Sequence, residues 1–100
     1  MAVNRKFKES PLEQGSVEKV AYQLTTTPWS SSPTSPAVRC MVNGGNADSN
    51  LLSGSASVNG DVITTPLVQN LVGGATFRLE IEWLSGSVKY EAYGLIECKD

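Results

Sequence analysis

The sequence predicts an all-β chain, an antiparallel two-sheet β-sandwich of about seven short strands. Three observations predict it. Charged residues make up only 18% of the 100 residues and hydrophobic ones 40%, and Gly, Ser, Thr and Asn are abundant, a composition poor in long helix formers. Apolar and polar positions alternate along several runs, most clearly in ATFRLEIEWLSGSVKYEAYGLIEC, residues 75–98. Turn signals separate those runs: TTTPWSSSPTSP, NGGNADSN, Asn59-Gly60, Gly73-Gly74 and Ser85-Gly86. Helical periodicity is sustained nowhere. Ser10-Pro11 is the one start expected for a single helical turn.

The elements follow in order. Residues 1–16 read as an N-terminal arm carrying Arg5, Lys6, Phe7 and Lys8, and residues 17–100 as a single domain with one modest core. In VEKVAYQL, residues 17–24, alternation sets Val20, Tyr22 and Leu24 on one face of a first strand. Residues 25–36 hold too much Pro and Ser for a central strand. Alternation resumes over residues 37–42, with Val38, Cys40 and Val42 inward and Arg39 and Met41 outward. A weak strand over 51–58 meets a short one over 61–65 across Asn59-Gly60, the preferred pair for a type I′ turn.

The last third is a hairpin. Phe77, Leu79, Ile81 and Trp83 share an inner face with Val88, Tyr90, Ala92, Gly94 and Ile96, while Arg78, Glu80, Glu82, Lys89, Glu91, Tyr93 and Leu95 lie outward. Opposed residues must point the same way. Setting Trp83 against Val88 meets that demand, places Glu82 against Lys89 and leaves Glu80 facing Glu91, with Arg78 as the diagonal relief.

Composition also excludes jobs. A net charge of -2 makes no field to steer nucleic acid or an anionic membrane. No apolar run approaches the roughly 20 residues that span a bilayer. MAVNRKFKES lacks the apolar region of a secretory signal, so cytoplasm is the expected location. The chain has no histidine, which removes the commonest general base and metal ligand together. Gly-x-Ser-x-Gly is absent, and Glu80, Glu82 and Glu91 imitate a glycosidase pair only on a flat, solvated face. No enzyme is expected. Asn46, Asp48 and Asn50 alternate like calcium ligands, but Leu51 and Ser57 stand where such a loop needs Gly and Glu. Cys40 and Cys98 are too few for a zinc site and read as small, reduced, inward residues. No metal and no cofactor is expected.

LVGGATF, residues 71–77, resembles the strand-connecting corner of fibronectin type III and immunoglobulin-like domains: Leu71, the Gly73-Gly74 turn, then an aromatic that opens an alternating strand. Phe77 stands where those domains carry Tyr, so the corner's hydroxyl bond cannot form. Over residues 8–98, the order KESPLEQGSVEKVAYQL, TTPWSSSPTSP, NGDVITTPLV, GGATFRLEIEW and YEAYGLIEC is similar to small immunoglobulin-like domains of bacteriophage and prophage structural genes. The matching residues are Lys8, Pro11, Glu13, Trp29, Gly60, Asp61, Ile63, Gly74, Phe77 and Arg78. The resemblance implies a non-enzymatic virion or assembly protein, made in the bacterial host cytoplasm and carried into the virion, with other virion proteins as partners and self-association among the options.

Six residues are the expected contacts: Phe7 in the arm, Trp29 in its Pro-rich loop, and Met41, Arg78, Tyr93 and Leu95 on the outer sheet face. Tyr93 and Leu95 make an apolar spot on an otherwise polar face. Trp29 either folds back over the core or reaches a partner. The alternative function is a ligand- or glycan-binding module, which needs Trp29 and Tyr93 side by side.

Overall fold

The computed structural model describes residues 12–27, 29–30 and 32–99. The fold is all-β. Nine strands are described: β1 (Leu12–Gln14), β2 (Gln23–Thr25), β3 (Thr34–Val42), β4 (Leu52–Ser53), β5 (Ser57–Asn59), β6 (Val62–Thr64), β7 (Leu67–Val68), β8 (Thr76–Ser85) and β9 (Val88–Cys98). They form a four-stranded sheet in the order β1-β9-β8-β3, a three-stranded sheet β2-β6-β5 and a two-stranded sheet β4-β7. The expected two antiparallel sheets are therefore three, and one pairing is parallel: β1 runs alongside β9 with Leu12 opposite Ile96. Gly54, at φ +94°, turns the chain out of the extended region and splits the expected strand over 51–58 into β4 and β5.

The β8–β9 hairpin carries the fold, in a register two residues from the expected one. Ser85 pairs Val88 and Trp83 pairs Tyr90. The turn is the two-residue Gly86-Ser87, with Gly86 at φ +62° in the first central position, where a type II′ turn requires glycine. A slip of two preserves which side chains share a face, so the inner and outer sets stand as predicted. A glycine also opens the β5–β6 hairpin. Its pair Asn59–Val62 makes Gly60-Asp61 the turn, one residue beyond the expected Asn59-Gly60.

Trp83 has 0% exposure and sits with Phe77, Leu79, Ile81, Ala92 and Ile96 on the sheet's inner face. Leu24, Ile63, Val68 and Leu71 from the smaller sheets and their connections complete the same cluster, giving a sandwich-like core. Trp29 stacks at a tilt on Trp83, ring centroids 6.1 Å apart, and Tyr90 lies nearly parallel to it at 5.7 Å. The buried indole N–H of Trp83 donates to Ser30 Oγ at 2.8 Å, which ties the Pro-rich loop to the core.

The N-terminal segment departs most from expectation. Residues 12–14, assigned to the arm, form β1, and Val20 makes only an isolated bridge to Val68 where a first strand was predicted. The cause is Gln14, which is 1% exposed. Its amide donates to the carbonyls of Val68 (2.7 Å) and Glu18 (3.0 Å), and its oxygen accepts from the Tyr22 hydroxyl (2.8 Å). A buried amide with its donors and acceptor matched fixes the strand where an unmatched one would expel it.

Candidate contact surface

The outer face of the four-stranded sheet is set by register. Three rows cross it: Ala37–Glu82–Glu91, Arg39–Glu80–Tyr93 and Met41–Arg78–Leu95, taken from β3 through β8 to β9. The direct opposition of Glu82 and Glu91 would be repulsive alone. Arg39 answers it from the neighbouring strand. Its Nη2 lies 2.9 Å from Glu80, 2.8 Å from Glu82 and 3.9 Å from Glu91. Arg78 Nε reaches Glu80 at 2.7 Å, and Lys89 reaches Glu82 at 3.3 Å, diagonally rather than from directly opposite.

Partial burial favours the neutral acid at Glu80, whose side chain is 15% exposed, yet hydrogen bonds from Arg78 and Arg39 outweigh it and hold the carboxyl below its ordinary value. Arg39 loses some solvation too, and its bonds to Glu80 and Glu82 raise its pKa all the same. A catalytic carboxylic acid needs the opposite shift.

The expected contact residues divide. Tyr93, Leu95 and Arg78 share the outer face, all partly exposed. The Arg78 guanidinium carbon stands 3.9 Å above the Tyr93 ring centroid, a cation–π contact that fixes both side chains. Met41 faces the same side by register but is only 8% exposed. The chain returns beside it in a bridge to Ala47, and it is corrected from contact residue to buried residue. Trp29 belongs to the inner side, half-buried against Trp83. Trp29 and Tyr93 thus lie on opposite sides of the sheet, and the paired platform that a glycan site needs is not formed by them. Phe7 lies outside the described residues.

Other candidate ligands have structural duties. Asp48 caps the short 3-10 turn Ser49–Leu51, accepting from the Asn50 amide at 2.9 Å. Among the described residues no group of three His, Cys, Asp or Glu could hold a metal, and no helix is long and apolar enough to cross a membrane. Cys40 and Cys98 are both buried. Across β8, Cys40 is level with Gly94, four residues along β9 from Cys98, which is too far for a disulfide. Burial pushes the Cys40 thiol up to about 11, the Asp48 carboxylate adding to the effect, so it is a poor nucleophile near neutral pH.

Sequence reasoning placed Arg39 outward but missed its role, because the strand that pairs β3 was not identifiable from alternation. Val42, expected inward, is 50% exposed at the end of β3. The chain matches no protein-family model, no curated protein and no solved structure.

Proposed function

We propose that the chain is a non-enzymatic, immunoglobulin-like module that works by protein–protein contact through the outer face of its four-stranded sheet. The observation that carries this is the Arg78–Tyr93 stack beside Leu95, held in place by the Arg39–Glu80–Glu82 ion pairs. Arginine and tyrosine with restrained side chains are the residue types that dominate protein interfaces. Holding them in place beforehand lowers the ordering cost of binding.

The immunoglobulin-like reading draws support from strand order. β3-β8-β9 and β2-β6-β5 reproduce the CFG and BED sets of that fold, with β1 laid alongside the last strand. The resemblance of residues 8–98 to phage and prophage structural domains makes a virion or assembly component the biological setting, with protein subunits, copies of this chain included, as partners. Light scattering over a range of concentrations tests the contact: the intact chain forms a discrete oligomer that Tyr93→Ser/Leu95→Ser dissolves while remaining folded. A monomer at every concentration contradicts self-association through this face.

A further inference from the structure

A second surface lies at the rim of the same sheet, where β3 is an edge strand. The Cys40 carbonyl accepts from the Asp48 amide and the Asn43 amide donates to the Thr76 carbonyl, which fixes the sides to which successive β3 residues turn their backbone groups. Ala37, Arg39 and Met41, opposite Glu82, Glu80 and Arg78, face β8; Val38 and Cys40 face away from it. The N–H and C=O of Val38 therefore point off the sheet, and no described residue pairs with them.

The usable edge is short. Upstream, the register shifts between Thr34 and Ala37, Ser35 takes φ +51°, and Pro36 has no N–H to offer. Downstream, the Met41–Ala47 bridge covers the strand. Such features keep whole sheets from pairing edge to edge. Here they leave one stretch open, from Ala37 to the N–H of Cys40, whose carbonyl is taken by Asp48.

A groove of about 430 Å³ opens at that stretch, lined by Val38, Ala47, Leu52 and Gly54 together with the polar Arg39, Asp48 and Ser49. Val38 and Leu52 are partly buried against the core. Beside Gly54 there is open space: a Cβ built there meets nothing within 4 Å. An unpaired backbone edge and a groove of mixed apolar and polar lining thus coincide at the same residues.

We propose that this rim is a docking site for a short extended peptide segment of a partner protein, which adds to β3 through the Val38 backbone and sets one small apolar side chain into the groove over Leu52. The backbone edge selects an extended chain over a small molecule, since it presents paired donor and acceptor at strand spacing. The length selects a peptide over a second copy of this chain: four residues of strand span only about 13 Å, room for a short extended segment but too narrow a contact to build the broad interface, roughly 1,600 Å², of a stable globular pair. The site does not depend on the outer face.

The test uses the intact chain and a library of random seven-residue peptides displayed on a carrier, with enriched sequences synthesised and measured by fluorescence anisotropy. Enriched peptides should alternate small apolar and polar residues, and should slow exchange of the Val38 amide when bound. Val38→Pro deletes the donor that faces the groove and leaves the bonds to β8 intact, as proline is tolerated at such edge positions. It should weaken binding by about threefold to tenfold, the net worth of one backbone hydrogen bond. Ala47→Phe fills the groove from an exposed position and should abolish binding, which keeps the test decisive if the proline variant does not fold. No enrichment, binding that survives Ala47→Phe, or protection of amides elsewhere overturns the proposal.

Discussion

The two faces of the four-stranded sheet are made by the same strands and obey opposite physics. On the inner face, Phe77, Leu79, Ile81 and Trp83 from β8 are buried with Ala92 and Ile96 from β9 in one apolar cluster. On the outer face, one residue away at each step, Arg39, Arg78 and Lys89 lace Glu80, Glu82 and Glu91 together. Apolar burial contributes about 25 cal/mol per Å² and is insensitive to salt. Exposed ion pairs contribute about 0–1 kcal/mol each and are screened. The comparison teaches that stability resides inward, while the outward lattice fixes side-chain positions.

Substitutions should separate the faces. Trp83→Ala should cost about 3–5 kcal/mol, the range for emptying a buried aromatic site, read as a lowered urea midpoint. Tyr93→Ala, on the same sheet, should cost clearly less by the same measurement. Equal losses would erase the distinction.

Alkaline pH attacks the inner side next. Cys40 has a folded pKa raised to about 11 from an ordinary 9.0. The unfolded thiol therefore ionises first, and its contribution is full below pH 9 and lost between 9 and 11, by on the order of 2 kcal/mol. Tyr22, raised mainly by burial to about 12 from 10.0, extends the loss to higher pH. Unfolding midpoints should fall from about pH 9 for the intact chain, whereas for Cys40→Ala the fall should begin only near pH 10, where Tyr22 takes over.

Gln14→Ala should cost about 1–3 kcal/mol, because the Val68 carbonyl and the Tyr22 hydroxyl lose their partner. Amide exchange of β1 should quicken before that of β8. This strand also marks the limit of what was legible. The inner and outer sets of the hairpin were readable because period-two alternation survives a register slip. The register itself was not, since it depends on whether Gly86 opens a two- or four-residue loop. β1 was hidden because three residues carry no periodicity and its anchor is a polar side chain that reads as solvent-facing. Met41 was misread because parity reports a strand's face and says nothing of chain that folds back over it. Tyr93 and Arg78 were found by parity, whereas the hub at Arg39 needed the long-range pairing of β3 with β8.

Arg39→Met should change stability least, by about 1 kcal/mol or less, and the change should shrink in high salt. The acid limb has the same origin. Glu80 is held below its ordinary pKa by its two arginines against the effect of burial, so its contribution is present above the usual glutamate range and lost as pH falls through the folded value. Removing Arg39 should therefore narrow the stable range on the acid side.

The measurement that tests the central claim most directly is a series of residue-resolved NMR spectra of the intact chain at rising concentration. The account predicts shifts confined to the outer rows, around Arg78, Tyr93 and Leu95, with Trp83 and Ile81 unmoved. Shifts centred on the Trp29 loop, or none at any concentration, would contradict an outer face that binds copies of this chain.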